Sequence, residues 1–400
     1  MKEYYLDSAS TTKVKQEVLD AMMPYFTEKY QNPSSLYSDR LKEDIESAKT
    51  AVKKHLRVDD DWDVIFTSGG CESNTMMLRS FYTDCLRYGL TPIFVTTNIE
   101  HESIRSAYRW LADMWWYELE VDSEGRVSEG ELIYTLETAM QKQEELENSD
   151  YIILVSIQYA NNELGTIQDI YHLSKVAREY GCFFHTDATQ AMKILHPSEH
   201  TFEYVDAITF SGHKIGTPKG IGCLCHSPKL PIAPMIFGTQ MNGKRGGTEN
   251  VPYIMGLKRA IELLCETKYR FTNPCTKTQL WWEFHEHGIN VKFNSPNENC
   301  IPNILNITFK GNDSIDTQAL VLLLSLKKIY TSTGSACHES TRSRKASHVL
   351  TAIGLTDADA YSTLRLSWDE NLSYEDVVYI VKEIKRGIEM LKDDQYEMES

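Results

Sequence analysis

Four hundred residues exceed the length over which one hydrophobic core usually keeps growing, so the chain predicts two domains, or a large domain with a smaller annex. Its 42% apolar and 24% charged residues argue against a disordered chain, and a formal charge of -16 argues against a general nucleic-acid binder, which needs a basic face. The opening "MKEYYLDSAS" lacks the organisation of a signal peptide and no apolar run approaches a bilayer span, so a soluble, cytoplasmic protein is expected, without membrane or direct nucleic-acid partners.

After a short opening strand, "TKVKQEVLDAMMPYFTEKY" sets Val14, Val18, Leu19 and Met22 at helical spacing, and "SDRLKEDIESAKTAVKKHL" repeats that pattern behind a Ser/Asp cap. The runs "WDVIFTSGG", "PIFVTTN", "YIILVSIQYA", "CFFHTDAT", "AITFSG" and "GIGCLCH" read as short, continuously apolar strands, separated by stretches long enough for helices such as "DIYHLSKVAREYG". Continuous apolarity predicts strands covered on both faces, and their alternation with helices predicts a mainly parallel sheet. The expected fold is therefore a doubly wound α/β domain. Beyond about residue 255 the texture changes to a long helical region, "NILNITF", "AYSTLRLSWD" and a last amphipathic helix, "YEDVVYIVKEIKRGIEML". This predicts a large α/β domain over 13–255 and a smaller α+β domain built from 1–12 and 256–400, with the charged tail "KDDQYEMES" frayed.

The nine cysteines, Cys71, Cys85, Cys182, Cys223, Cys225, Cys265, Cys275, Cys300 and Cys337, are odd in number and without paired spacing, which argues against a disulfide framework. Cys223 and Cys225 flank one residue in "GIGCLCH", but no second Cys/His pair at zinc spacing accompanies them. They read as strand residues, and no metal is expected. Cys337 differs. In "YTSTGSACHESTRSRKASHVL" it lies among small, polar and basic residues, with Arg342, Arg344 and Lys345 downstream. A core-filling thiol keeps apolar company; this composition predicts an accessible thiol, with nearby positive charge favouring thiolate.

In open α/β sheets ligands gather at the carboxyl ends of strands, so the polar residues ending each apolar run are the candidates. "FTSGGCESN" ends a strand with glycines and opens a helix, a geometry in which backbone N–H groups hold a phosphate. "HTDATQ" ends another with Asp187, and "TFSGHK" the next with Ser211, His213 and Lys214. A lysine and a carboxylate at neighbouring strand ends are what pyridoxal phosphate needs: one for the Schiff base, one to keep the pyridine nitrogen protonated.

Together "LDSASTTKV", "NPSS", "ANNELG", "SGHKIGTPKGIG", "RGGTEN", "GSAC", "SHVL" and "LRLS" resemble the cysteine desulfurases of the NifS/IscS type, within the fold-type I, class V aminotransferase-like enzymes that use pyridoxal 5'-phosphate. The match runs nearly end to end. The resemblance implies Lys214 as the Schiff-base lysine, Asp187 as the pyridinium partner, Gln190 and Asn162 as hydrogen-bonding partners of the ring, and His101 stacked on its face. It implies Ser211, His213 and the backbone of Gly70 and Cys71 as the phosphate seat, joined by Thr248 from the other subunit of a homodimer. Arg365 would clamp the substrate carboxylate, with Asn162 beside it, and Cys337 would accept sulfur on a mobile loop.

The implied reaction converts L-cysteine to L-alanine and leaves a persulfide on Cys337, which a sulfur-acceptor protein then takes. Iron–sulfur cluster assembly, tRNA thiolation and DNA phosphorothioation all lie within what the resemblance allows. A related lyase or aminotransferase of the same superfamily, for example one acting on selenocysteine, and a non-catalytic sulfur-transfer scaffold are the alternatives; Cys337 disfavours an aminotransferase, and the Lys214–Asp187 pair disfavours the scaffold. Some positions depart from the family pattern. Gly70-Cys71 stands where Ala-Thr is usual, Tyr37 where a histidine follows "NPSS", Trp368-Asp369 where a glycine follows "LRLS", and Met241 where an acid is common.

Overall fold

The computed structural model describes residues 2–111, 114–147, 150–195, 200–266, 275–311, 314–333 and 346–399. Cys337, Arg342, Arg344 and Lys345 lie outside the described residues. The strands in chain order are β1 (Tyr4–Tyr5), β2 (Asp63–Thr67), β3 (Thr91–Thr97), β4 (Trp115–Leu119), β5 (Tyr151–Ser156), β6 (Phe183–Asp187), β7 (Ala207–Ser211), β8 (Gly222–His226), β9 (Val291–Phe293), β10 (Ile304–Phe309), β11 (Ile329–Tyr330) and β12 (Thr363–Ser367).

A seven-stranded sheet in the order β2-β8-β7-β6-β5-β3-β4 forms the centre. Its pairs are parallel except those of β8, which runs antiparallel to β2 and β7. The strand residues divide by parity. Val64, Phe66, Ile93, Val95, Ile153, Val155, Ile208, Phe210, Cys223 and Cys225 enter one core, while Ile65, Phe94, Leu154 and Leu224 enter another on the opposite face. Successive side chains of a strand point to opposite faces, so covering both faces demands apolar residues at every position. That is the physical origin of the continuous apolar runs. Cys223 and Cys225 are wholly buried in β8, and burial pushes both thiols up.

Helices 39–56 and 251–266 pack together over the first face. The helix Val251–Glu266 runs across residue 255 and keeps Ile254, Leu257, Ala260, Ile261 and Leu264 in the large core throughout. Helix 70–87 covers the second face through Met76, Met77 and Phe81. β12, β10 and β9 form a separate antiparallel sheet, whose core is completed by helices 275–286, 317–326 and 374–399. β1 pairs in parallel with β11, so the N-terminal segment is anchored on this smaller layer before it crosses to the larger one.

Several local expectations need correction. The first amphipathic stretch is broken: Gln16–Met22 is one helix and Pro24–Thr27 another, because Pro24 cannot donate to the preceding turn. Leu19 is exposed. Ser38 stands at the N-cap of helix 39–56, yet its side chain makes no capping bond. The last helix runs from Tyr374 to Glu399, through the tail read as frayed. Among the described residues, no helix is long and apolar enough to cross a membrane, and no group of His, Cys, Asp and Glu is placed to hold a metal ion.

Candidate active site

The carboxyl ends of β2, β3, β5, β6 and β7 open on a cavity of about 330 Å³ lined by Gly70, Cys71, His101, Asn162, Asp187, Gln190, Ser211, His213, Lys214 and Arg365. These residues come from six separate stretches of chain, and the cavity lies where doubly wound sheets bind ligands. Thr248 is exposed and is not among the residues lining the cavity of its own chain.

Asp187 ends β6 almost fully buried, at 8% exposure. Its Oδ1 accepts from the Thr189 N–H (2.9 Å) and its Oδ2 from Asn74 Nδ2 (2.8 Å). Asn74 lies one helical turn beyond Gly70, on the face that meets the cavity. Its amide also donates to Ser103 Oγ (2.9 Å), while its Oδ1 accepts from Thr209 Oγ1.

The bonds beyond Asn74 have a consistent direction. The Ser103 backbone N–H donates to His101 Nδ1 (3.1 Å), and Ser103 Oγ contacts the same nitrogen at 2.8 Å, which assigns the proton of the neutral ring to Nε2. Burial pushes the His101 pKa down; Asp187 pulls it up and Lys214 pushes it down again. On the other side, His185 Nε2 meets Thr209 Oγ1 (2.9 Å) and Nδ1 meets Ser156 Oγ (2.8 Å). With Thr209 donating to Asn74, His185 must donate from Nε2 and accept at Nδ1. Complete burial drives His185 down to about 4, so the ring is neutral at ordinary pH.

The cations are held differently. Lys214 follows β7 in a single turn of 3-10 helix, and its Nζ donates to the carbonyls of Ala9 and Ser10, the latter at 2.7 Å. Gln190 Nε2 donates to the same Ala9 carbonyl (2.8 Å). Arg365, on β12, is 2% exposed; Nη2 donates to Asp7 Oδ1 and Ser10 Oγ (both 2.7 Å), and Nη1 donates to the Asn162 carbonyl (3.0 Å). Its Nε–H has no hydrogen-bond partner among the described residues. A buried donor left this way marks a place for a polar ligand.

The turn that opens helix 70–87 is shaped by glycine. A Cβ on Gly70 would stand 3.3 Å from Thr189 Oγ1 and 3.4 Å from Ser211 Cβ, filling the space between the helix start and the end of β7. A Cβ on Gly222 would reach 2.4 Å from the Gly69 carbonyl carbon, so only glycine lets β8 pass beneath this turn. Burial drives His213 down to about 4, aided by Lys214 and Lys219. Burial pushes Glu72 upward, but hydrogen bonds from Arg245 and Ser68 outweigh it and hold the carboxyl below its usual range. That Arg245–Glu72 pair (3.0 Å) pins the chain before "GGTEN" to the first turn of helix 70–87.

The departures also find places. Trp368 is buried in the smaller core, and Asp369 pairs with the half-buried Lys193 behind the cavity. Met241 is buried in the larger core, whereas Tyr37 is 80% exposed. Asn74, Ser103, Thr189, Asp7 and Ser10 were not singled out from the sequence. For Asn74 the available signal was its i+4 spacing from Gly70.

The sequence profile of the Aminotransferase class-V family matches residues 4–380. The cysteine desulfurase IscS of Dictyoglomus turgidum is 35% identical over 398 residues, covering 98% of this chain and 96% of that protein. Among solved structures, a NifS-like protein superposes with a TM-score of 0.83 at 30% identity, over 98% of this chain and 100% of the other. SspA in complex with cysteine superposes with a TM-score of 0.73 at 29% identity, over 92% and 98%.

Proposed function

The chain belongs to the class-V aminotransferase family, and on that premise we propose that it is a pyridoxal 5'-phosphate-dependent cysteine desulfurase that converts L-cysteine to L-alanine. The observation that carries this reading is the convergence of Lys214, Asp187, His101 and Arg365 on one cavity. A cysteine complex of the structurally similar SspA supports the choice of substrate. The glycine-shaped seat, the carboxylate of Asp187 and the orphan Nε of Arg365 fit the cofactor and an amino-acid carboxylate.

Lys214 would carry the cofactor, Asp187 would keep the ring nitrogen protonated, His101 would face the ring, and Gln190 and Asn162 would complete its hydrogen bonds. Ser211, His213 and the backbone of Gly70 and Cys71 would hold the phosphate, with Thr248 supplied by a second copy in a homodimer. When bound, the cofactor supplies an electron sink for the carbon beside the substrate amine.

This chain's own groups do the rest. Arg365 holds the substrate carboxylate, to which a planar guanidinium is well matched. Lys214 Nζ, released as a free amine, takes the proton from the substrate Cα and later returns one to the product. The Cys337 thiolate attacks the substrate sulfur, forming an S–S bond as the Cβ–S bond breaks with its electrons left on carbon. One thiol and one cysteine thereby give one persulfide and, after protonation, one alanine. An acceptor protein in the cytoplasm takes the sulfur. We assign the cofactor to the domain over 13–255 and the sulfur-accepting loop to the domain built from 1–12 and 256–400, with helix 251–266 continuing the larger core past that boundary.

The test is product analysis of purified protein given L-cysteine and a reducing thiol. Equal amounts of alanine and sulfide are expected, both lost in Cys337→Ala, while the absorbance change on adding cysteine survives. Alanine from selenocysteine but not from cysteine would overturn the assignment.

A further inference from the structure

Two wholly buried carboxylates flank the cavity residues and take no part in the chemistry above. Glu100 precedes His101, and Glu163 follows Asn162. Burial pushes them up to about 8 and about 7.

Both neighbourhoods meet the chain where it re-enters the described fold at Ala346. Ser347 Oγ donates to Glu163 Oε2 at 2.6 Å, the length of a charge-assisted bond, while also capping helix 348–352. The next residue, His348, donates from Nε2 to the Glu100 carbonyl (2.9 Å). That helix packs Val349, Leu350 and Ile353 against Ile99 and Leu164.

The two receiving turns are themselves locked together. Asn161 Oδ1 accepts from the N–H groups of Glu163 and Leu164 (both 2.8 Å), its Nδ2 donates to the Ile99 carbonyl (3.2 Å), and the Gln158 N–H donates to Glu100 Oε1 (2.8 Å). Consecutive residues are thus clamped, one each, to the turns that present Asn162 and His101.

We propose that Glu163 is a positioning residue for sulfur capture: through Ser347 it fixes the point from which the chain bearing Cys337 departs, in register with the cavity walls. Burying a carboxylate costs stability unless it is well paired, and here the pair spans the turn beside Asn162 and the downstream end of the sulfur-accepting segment. The inference rests on the reading of Cys337 as sulfur acceptor.

It is tested on the cofactor-loaded enzyme by rapid mixing with L-cysteine, following the absorbance change and, after quenching, the fraction of Cys337 peptide carrying an extra sulfur. Displacing reacting groups by about an ångström costs up to about a hundredfold, so Ser347→Ala and Glu163→Ala are expected to slow persulfide formation about tenfold or more. The absorbance change and its dependence on cysteine concentration stay within about twofold, and Glu163→Gln, which keeps an acceptor oxygen, recovers most of the rate. Unchanged persulfide formation in both alanine variants overturns the inference, as does a parallel fall of the absorbance change, which would mark a merely structural role. If the wild-type protein itself leaves Cys337 unmodified, the desulfurase reading falls first.

Discussion

The two walls of the cavity are built on opposite plans. The strand-end wall is a run of side chains, Ser156, His185, Thr209, Asn74, Asp187, Ser103 and His101, whose donors and acceptors pair with one another before any ligand arrives. The cation wall instead ties Lys214 and Gln190 to the backbone carbonyls of Ala9 and Ser10, and Arg365 to Asp7, Ser10 and the Asn162 carbonyl. Preorganised groups cost no rearrangement at the moment of reaction, and the first wall has that character. The second holds groups that, under the proposed function, change partners: the lysine would exchange carbonyls for covalent and proton-transfer work, and the arginine would take on a second carboxylate.

Substitution separates the two plans. Lys214→Ala removes the group to which the proposed function gives both covalent and proton-transfer roles, and alanine release is expected to fall by about 10²–10⁴-fold or more, with little change in melting temperature because the side chain is not part of a packed core. An unfolded Lys214→Ala protein would show that the cation wall is structural.

Beneath the strand-end wall, Glu100 gives a pH signature. Its folded pKa, near 8, lies above the unfolded value, so its contribution to stability is present below about pH 4.5 and is lost as pH rises through about 8. Glu100→Gln, which removes that titration, is expected to flatten the decline and to raise stability at pH 8 by on the order of 1–3 kcal/mol in chemical denaturation. A pH profile that keeps the wild-type slope would contradict the buried-carboxyl reading.

Asn74→Ala takes one hydrogen-bond partner each from Asp187, Ser103 and Thr209 and is expected to cost about 1–3 kcal/mol of stability, with the absorbance band of bound cofactor shifted. Ser10→Ala removes one contact to Arg365 in the partly exposed wall; KM for cysteine is expected to rise about fivefold with kcat unchanged, on the order of 1 kcal/mol. A larger loss of stability in Ser10→Ala than in Asn74→Ala would reverse the contrast between the walls.

The same contrast decides what the sequence disclosed. The central strands were legible because both faces are buried, and Lys214, Asp187, His101 and Arg365 because the chemistry demands their residue types at strand ends or in family motifs. β4 escaped notice: among the described residues it pairs with β3 alone, at the sheet edge, and its exposed Trp115 and half-buried neighbours break the apolar run. Asn74 and Ser103 were not legible because their importance lies in bonds to residues far along the chain. Glu100 and Glu163 look like ordinary surface acids until helix 348–352 packs over their turns. At Ser38 a local capping signal goes unused, whereas at Pro24 a local backbone constraint overrides the helical period.

The most direct test of the account is to incubate the cofactor-loaded protein with sulfur-labelled L-cysteine in the absence of acceptor and map the label by peptide. Label on the peptide containing Cys337, absent when Lys214 is replaced by alanine, is the predicted result. Label on another cysteine, or on Cys337 regardless of Lys214, would contradict it.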